Sequence, residues 1–165
     1  MPTILSPNEQ LMVKVAMDHG LPFQLVRAIV IVESSGDTFA TRYEPEFYER
    51  YVRGDGTIKA FSPCSLQTER TLRATSFGLM QVMGQVARER GYRGPYLTNL
   101  CDPATGLQFG CLHLSAMRRR FAGLGWDAAC AAYNGGAGAV KGRTEFRNPE
   151  YPTKVLKALG GKWPE

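Results

Sequence analysis

The chain has 165 residues, 44 % hydrophobic and 21 % charged, with a formal net charge of +5. That composition suits one globular domain with its own core and excludes a disordered or fibrous chain. No run approaches the ~18 apolar residues a bilayer span needs, so stable membrane insertion is not expected.

The first seven residues, Met1 to Pro7, lack a basic region followed by a long apolar one. They are read as carrying no secretory signal, so the chain is expected to be made in the cytoplasm. Ser6-Pro7-Asn8-Glu9 is a capping box with proline at the first helical position. The helix it opens carries Leu11, Met12 and Val15 inward and stops at Gly20. Pro22 opens a second helix, with Leu25, Ala28, Ile29 and Val32 at helical spacing. The run Ile29-Val30-Ile31-Val32 ends this helix in Glu33, then Ser34-Ser35-Gly36. A carboxyl there meets an apolar wall and the negative end of the helix dipole. Both favour its protonated form, which is what a general acid needs.

Asp37 to Thr75 is the least regular part, and residues 42–75 within it form a small β or irregular insertion. A short helix is expected from Pro45. Asp55-Gly56 signals a turn, and Thr57 to Phe61 reads as a short strand. Another helix is expected to begin within Ser76 to Met83 and run to Gly91. Asp102-Pro103 caps the longest helix, with Leu107, Cys111, Leu114 and Met117 inward. Trp126 to Tyr133 is an alanine-rich helix stopped by Asn134-Gly135-Gly136. Asn148-Pro149 opens the last helix, carrying Tyr151, Val155, Leu156 and Leu159. The fold class is therefore mainly α, one domain over residues 1–165.

Few chemistries are open. Cys64, Cys101, Cys111 and Cys130 match no zinc spacing and are expected as free thiols, the last two buried. A Cys64–Cys101 disulfide is opposed by cytoplasmic synthesis. His19 and His113 sit on separate helices without metal-binding spacing. No metal and no cofactor are expected. There is no nucleophile elbow and no Walker loop. Arg118-Arg119-Arg120 reads as a solvated helix face. The positive balance suits nucleic acid, a membrane surface or a cell wall. With no helix bearing a dense basic stripe and interleaved aromatics, nucleic acid is not the expected partner. What remains is acid–base work by a carboxylate.

Three short motifs occur in order: Glu33-Ser34, then Ser76-Phe77-Gly78-Leu79-Met80-Gln81, then Ala132-Tyr133-Asn134-Gly135-Gly136. Together they resemble the catalytic domain of soluble lytic transglycosylases, relatives of goose-type lysozyme. The resemblance covers roughly residues 8–159, and Asp102-Pro103 and Tyr151 fit it. It implies a lysozyme-like fold and cleavage of the β-1,4 bond between N-acetylmuramic acid and N-acetylglucosamine in peptidoglycan. Glu33 falls on the family's single essential glutamate, and a 1,6-anhydro sugar is the implied product. Tyr133 resembles the tyrosine whose hydroxyl contacts the catalytic carboxylate. Ser76 resembles the serine that helps hold it. Met80 and Gln81 resemble residues touching sugar rings. Ser34, Gly78 and Asn134 belong to the same motifs, with Asn134 also readable as a helix cap.

The chain departs from the family in its insertion, and in Gly84 and Gly106 where proline and asparagine are usual. The insertion suggests an endolysin or virion enzyme of phage type. It also supplies Glu44, Glu46, Glu49 and Asp55, any of which as a second acid would make the enzyme a hydrolytic muramidase. A reading of another class is a non-catalytic wall-binding or assembly protein. The expected partner is the peptidoglycan glycan strand, met in the periplasmic cell wall through phage lysis or secretion. A monomer is expected.

Overall fold

A computed structural model describes residues 5–165. The reading of the leader falls mainly on residues 1–4, outside the described residues. The element order is α1 (Pro7–Asp18), α2 (Phe23–Ser34), β1 (Thr41–Tyr43), α3 (Pro45–Phe47) with a π-helical turn (Tyr48–Val52), α4 (Leu66–Arg73), β2 (Thr75–Phe77), β3 (Val82–Met83), α5 (Gly84–Glu89), a 3-10 turn (Leu97–Cys101), α6 (Pro103–Arg120), α7 (Trp126–Gly135), a 3-10 turn (Ala137–Ala139) and α8 (Glu150–Ala158). The architecture is mainly α with a small sheet, as expected. The chain divides into two compact units, residues 1–32 with 111–165, and residues 33–110.

In the first unit the capping box forms as read. The Ser6 hydroxyl accepts the Glu9 N–H, and the Glu9 carboxylate accepts the Ser6 N–H. That carboxylate also accepts from Arg27 Nε at 3.1 Å, joining α1 to α2. The pairing and the capping hydrogen bonds hold the Glu9 carboxyl below its ordinary range, the Ser6 N–H contributing most. The inward face of α1 is Met12, Val15 and Ala16, shifted from the expected stripe, since Leu11 is only half-buried. Helix α7 is buried from Ala128 to Tyr133, and small side chains let it lie close to α8. The four cysteines form no disulfide among the described residues. Burial pushes the Cys111 thiol up to about 12 and the Cys130 thiol further in the same direction.

The second unit holds a three-stranded antiparallel sheet in the order β1-β2-β3. Thr41 faces Phe77, Arg42 faces Ser76, and Ser76 on its other side faces Met83. This overturns the helix expected from the Ser76–Met83 stretch to Gly91. The segment is strand, tight turn, strand, and α5 covers only Gly84–Glu89. Gly78 (φ 72°) and Gln81 (φ 48°) adopt left-handed backbone that a helix cannot contain. The apolar run misled because Ala74 to Met80 is buried throughout, leaving no strand alternation to read.

The strand expected at Thr57 to Phe61 is also absent. The Asp55 carboxylate takes the N–H and hydroxyl of Thr57 in a local turn instead. Ile58 then enters a small core with Val52 and Ala74, against which Phe47 and Tyr48 pack.

Helix α4 escapes the apolar pattern because its buried residue is a glutamate. Glu69 is fully buried, and Arg88 grips it bidentately, both hydrogen bonds 2.8 Å, with Arg73 Nε at 2.8 Å. Arg88 also donates to the Tyr92 and Gly94 carbonyls and lies 4.4 Å from the Phe61 ring centroid. Burial alone would raise the Glu69 carboxyl. The two guanidinium groups outweigh it and hold the carboxyl below its usual range. The two departing glycines are places of close approach. A Cβ on Gly84 would stand 2.2 Å from the Leu72 carbonyl oxygen, and one on Gly106 2.5 Å from that of Leu100.

Candidate active site

Glu33 is the penultimate residue of α2 and is half-buried. Ser34 ends the helix. Its hydroxyl donates to the Leu79 carbonyl at 2.8 Å and accepts the Gly36 N–H at 3.2 Å. Ser35 (φ 52°) and Gly36 (φ 84°) follow in left-handed backbone, so the chain turns sharply after the carboxylate. The turn continues through Asp37, whose N–H reaches the Ser34 carbonyl. The Asp37 carboxylate takes the Phe39 N–H at 2.8 Å.

The Ala40 carbonyl accepts twice at 2.8 Å, from the Gly78 N–H and from Gln81 Nε2. Gln81 Nε2 is also 3.1 Å from the Gly78 carbonyl. The first two motifs are thus brought together. The loop leaving Glu33 and the Gly78-Leu79-Met80-Gln81 turn are stitched by a side-chain hydroxyl, a side-chain amide and a backbone pair. Gly78 cannot be replaced in kind, because a Cβ there would lie 2.5 Å from the Leu100 carbonyl oxygen. Ser76 is buried at the centre of the sheet. Met80 is fully buried with its thioether packed over Gly110, and it fills core beneath the turn.

The third motif lies in the first unit. Tyr133 is buried in the last turns of α7, its ring 5.3 Å from that of the buried His113. Asn134 is exposed. The helix is ended by Gly136 (φ 76°), which relieves Asn134 of the capping role. Asn148 Nδ2 donates to Asn134 Oδ1 at 2.8 Å and to the Ala131 carbonyl at 3.1 Å. Arg147 donates to the Gly135 carbonyl at 2.7 Å. A Cβ on Gly135 would fall 2.9 Å from Asn148 Nδ2, so the strap before α8 lies directly on the motif. Sequence reasoning read Asn148 only as a helix opener. The Asn148-Pro149 pair signals a cap and gives no hint of this clamp.

The four candidate second acids have other partners or face solvent. Glu44 pairs with Arg42, and Glu49 pairs with Arg53 at 2.7 Å. Asp55 is spent on Thr57, whose hydrogen bonds hold its carboxyl below the ordinary range. Glu46 is exposed in α3. Among the described residues no group of three or more His, Cys, Asp and Glu is placed to hold a metal ion.

A mainly α chain in which the serine beside a helix-end glutamate is tied to a buried turn fits a lysozyme-like domain. Residues 10–152 match the family model of the transglycosylase SLT domain, and the chain belongs to that family. Over 60 residues it is 43 % identical to an endolysin of Enterobacteria phage PRD1, covering 32 % of this chain and 40 % of the endolysin. Among solved structures it resembles the lytic transglycosylase Slt of Pseudomonas aeruginosa, crystallised as an inactive glutamate-to-glutamine mutant. The TM-score is 0.60 at 19 % identity, over 94 % of this chain and 25 % of that one. At that identity the likeness is one of fold. The chain thus spans well under half of either relative.

Proposed function

We propose that this chain cleaves the β-1,4 bond between N-acetylmuramic acid and N-acetylglucosamine in peptidoglycan, with Glu33 as its single general acid and base. The observation that carries the proposal is the tie between the Glu33-Ser34 helix end and the Gly78–Gln81 turn in a member of the SLT family. Family membership supplies the reaction class. The fixed loop supplies the positioning that such chemistry needs.

In its acid form Glu33 donates a proton to the glycosidic oxygen as the bond to C1 of the muramic sugar breaks. The sugar's own acetamido group shields the oxocarbenium-like centre, so no carboxylate nucleophile is required. Glu33, now ionised, takes the proton of the C6 hydroxyl as that oxygen closes on C1. The proton count returns to its start, no water is consumed, and a 1,6-anhydro end results. Ser34, Gly78 and Gln81 hold the backbone beneath the carboxylate. Met80 supports the turn from below, and Ser76 anchors it in the sheet. Tyr133 and Asn134 serve from the third motif. The local partners of Glu44, Glu49 and Asp55 favour this route over water activation by a second acid. The likeness to an endolysin supports a phage-type role on the cell wall. The proposed unit of action is a single catalytic domain working as a monomer.

The test is mass spectrometry of soluble muropeptides released from purified peptidoglycan, with Glu33→Gln beside the wild type. Anhydro ends that vanish in the mutant are expected. Reducing ends, one water heavier, would make the enzyme a hydrolase, and no release from either protein would leave a binding or assembly role.

A further inference from the structure

Phe39 is the most exposed large hydrophobic residue described, 78 % accessible, yet its backbone is fixed on every side. Its N–H goes to the Asp37 carboxylate at 2.8 Å, and its carbonyl accepts the Thr41 hydroxyl at 2.9 Å. The next residue, Ala40, is the carbonyl on which Gly78 and Gln81 converge. A rigid loop gains little stability from a phenyl ring held in water. Two residues on, β1 begins, and all three of its residues are exposed. Its last, Tyr43, is 46 % accessible and has its ring 6.2 Å from that of Tyr48. Between the two aromatics stand the small Ala40 and the polar Thr41 and Arg42. Separate rings divided by polar groups do not make the contiguous apolar patch that another protein would cover. They suit a ligand with alternating apolar faces and hydroxyl edges.

We propose that Phe39, with Tyr43 beside it, is a stacking platform for the sugar rings of the glycan strand, holding the strand in register with the segment that carries Glu33. This rests on the reading of the chain as a peptidoglycan-cleaving enzyme. The C–H face of a pyranose ring covers an aromatic face, while its hydroxyls and acetamido group stay at the edge. Four steps along the chain keep the two Cα atoms within about 14 Å, a span that a few linked sugar rings cover. The loop's hydrogen bonds preorganise Phe39, so little ordering cost falls on binding.

Two measurements test this. Turnover of purified peptidoglycan is compared for wild type, Phe39→Ala, Phe39→Trp and Tyr43→Ala. Phe39→Ala is expected to lower kcat/KM about tenfold through a raised KM, with kcat nearly kept and the melting temperature unmoved. Phe39→Trp should restore most of it, and Tyr43→Ala should show a smaller loss of the same kind. An unchanged kcat/KM in Phe39→Ala, or a loss in kcat alone, overturns the proposal. So does a loss that Phe39→Trp does not restore. The second measurement is co-sedimentation of Glu33→Gln with insoluble peptidoglycan, with and without Phe39→Ala. A drop in the bound fraction is expected, and equal binding overturns the platform. Because it does not depend on cleavage, this arm separates failure of the platform from failure of the proposed activity, which would show as a wild type that releases nothing.

Discussion

The hydroxyl of Ser34 donates to the carbonyl of Leu79 at 2.8 Å, across 45 residues of chain. It ties the residue beside Glu33 to the turn of the second motif. Ser34→Ala removes this tie and leaves a partly buried carbonyl without its donor, a cost of about 1–2 kcal/mol. The effect on turnover should be larger than the effect on folding. We expect kcat on peptidoglycan to fall about tenfold with KM little changed, since the substitution loosens position without removing a binding surface. Ser34→Thr, which keeps the hydroxyl, should recover most of the rate. Steady-state kinetics of the two variants, with thermal melts alongside, checks this.

Gly84 is pressed against the backbone of the insertion. Helix α4 brings the Leu72 carbonyl to 2.2 Å from where a Cβ would lie, and the Arg73 Cα to 3.0 Å. Both obstacles are backbone and cannot swing aside. Gly84→Ala should therefore destabilise the fold by about 2 kcal/mol or more, and Gly84→Pro further. Gly78→Ala should be as damaging for two reasons together. Its φ of 72° strains an L side chain, and its Cβ would meet the Leu100 carbonyl at 2.5 Å. Denaturant melts would show the loss, and a wild-type midpoint for either alanine variant would refute the close packing described.

The features that sequence made readable were those set by nearest neighbours. The Ser6 capping box, the Asp102 cap with its 2.9 Å bond to the Thr105 N–H, and the inward Leu107, Cys111, Leu114 and Met117 of α6 all depend on a few adjacent residues. The strand–turn–strand of Ser76 to Met83 did not show, because a strand buried on both faces has no alternation to tell it from a helix segment. The deciding information lay in two backbone angles, at Gly78 and Gln81. The buried face of helix α4 was hidden for the opposite reason, its buried residue being a charge whose partner Arg88 lies 19 residues away. For the candidate site, the order of three motifs singled out Glu33 and Ser34, then Ser76, Gly78, Met80 and Gln81, then Tyr133 and Asn134, and the structure ties the first two motifs together. Phe39 and Asn148 could not be singled out, since what distinguishes them is tertiary. One is an exposed ring on a fixed loop, the other an amide spanning 14 residues to Asn134.

The Glu69–Arg88 pair makes the insertion sensitive to acid. The folded carboxyl titrates below its ordinary value of 4.5, so the folded state favours the ionised form. Its contribution is therefore complete above about 4.5 and is lost as pH falls through the lower folded value. The midpoint of thermal unfolding should drop across that acidic window, and the drop attributable to this pair should be missing in Glu69→Gln. At neutral pH, Glu69→Ala leaves the Arg88 guanidinium buried without its partner and should cost about 3–5 kcal/mol. Replacing both residues with apolar ones should cost less than the single change. A Glu69→Ala melt that matches wild type at pH 7 would contradict the burial of this charge.

Asn148 offers the sharpest test of the third motif. It is buried, its amide nitrogen serves both Asn134 Oδ1 and the Ala131 carbonyl, and its own Oδ1 is buried without a hydrogen-bond partner. Asn148→Asp keeps the shape and replaces the donor with oxygen, so two acceptors would face a carboxylate. That change should destabilise by about 2–3 kcal/mol and release Asn134 from its partner. Asn148→Ala leaves the same acceptors unpaired but adds no charge, and should cost about 1–2 kcal/mol. If Asn134 acts on substrate, both variants should also lower kcat/KM at temperatures well below their melts. Asn134→Ala should lower it to a similar level, and the double variant Asn134→Ala, Asn148→Ala should be no worse than either alone. Additive losses in kcat/KM would mean that the two side chains act separately and that the 2.8 Å contact carries no functional coupling.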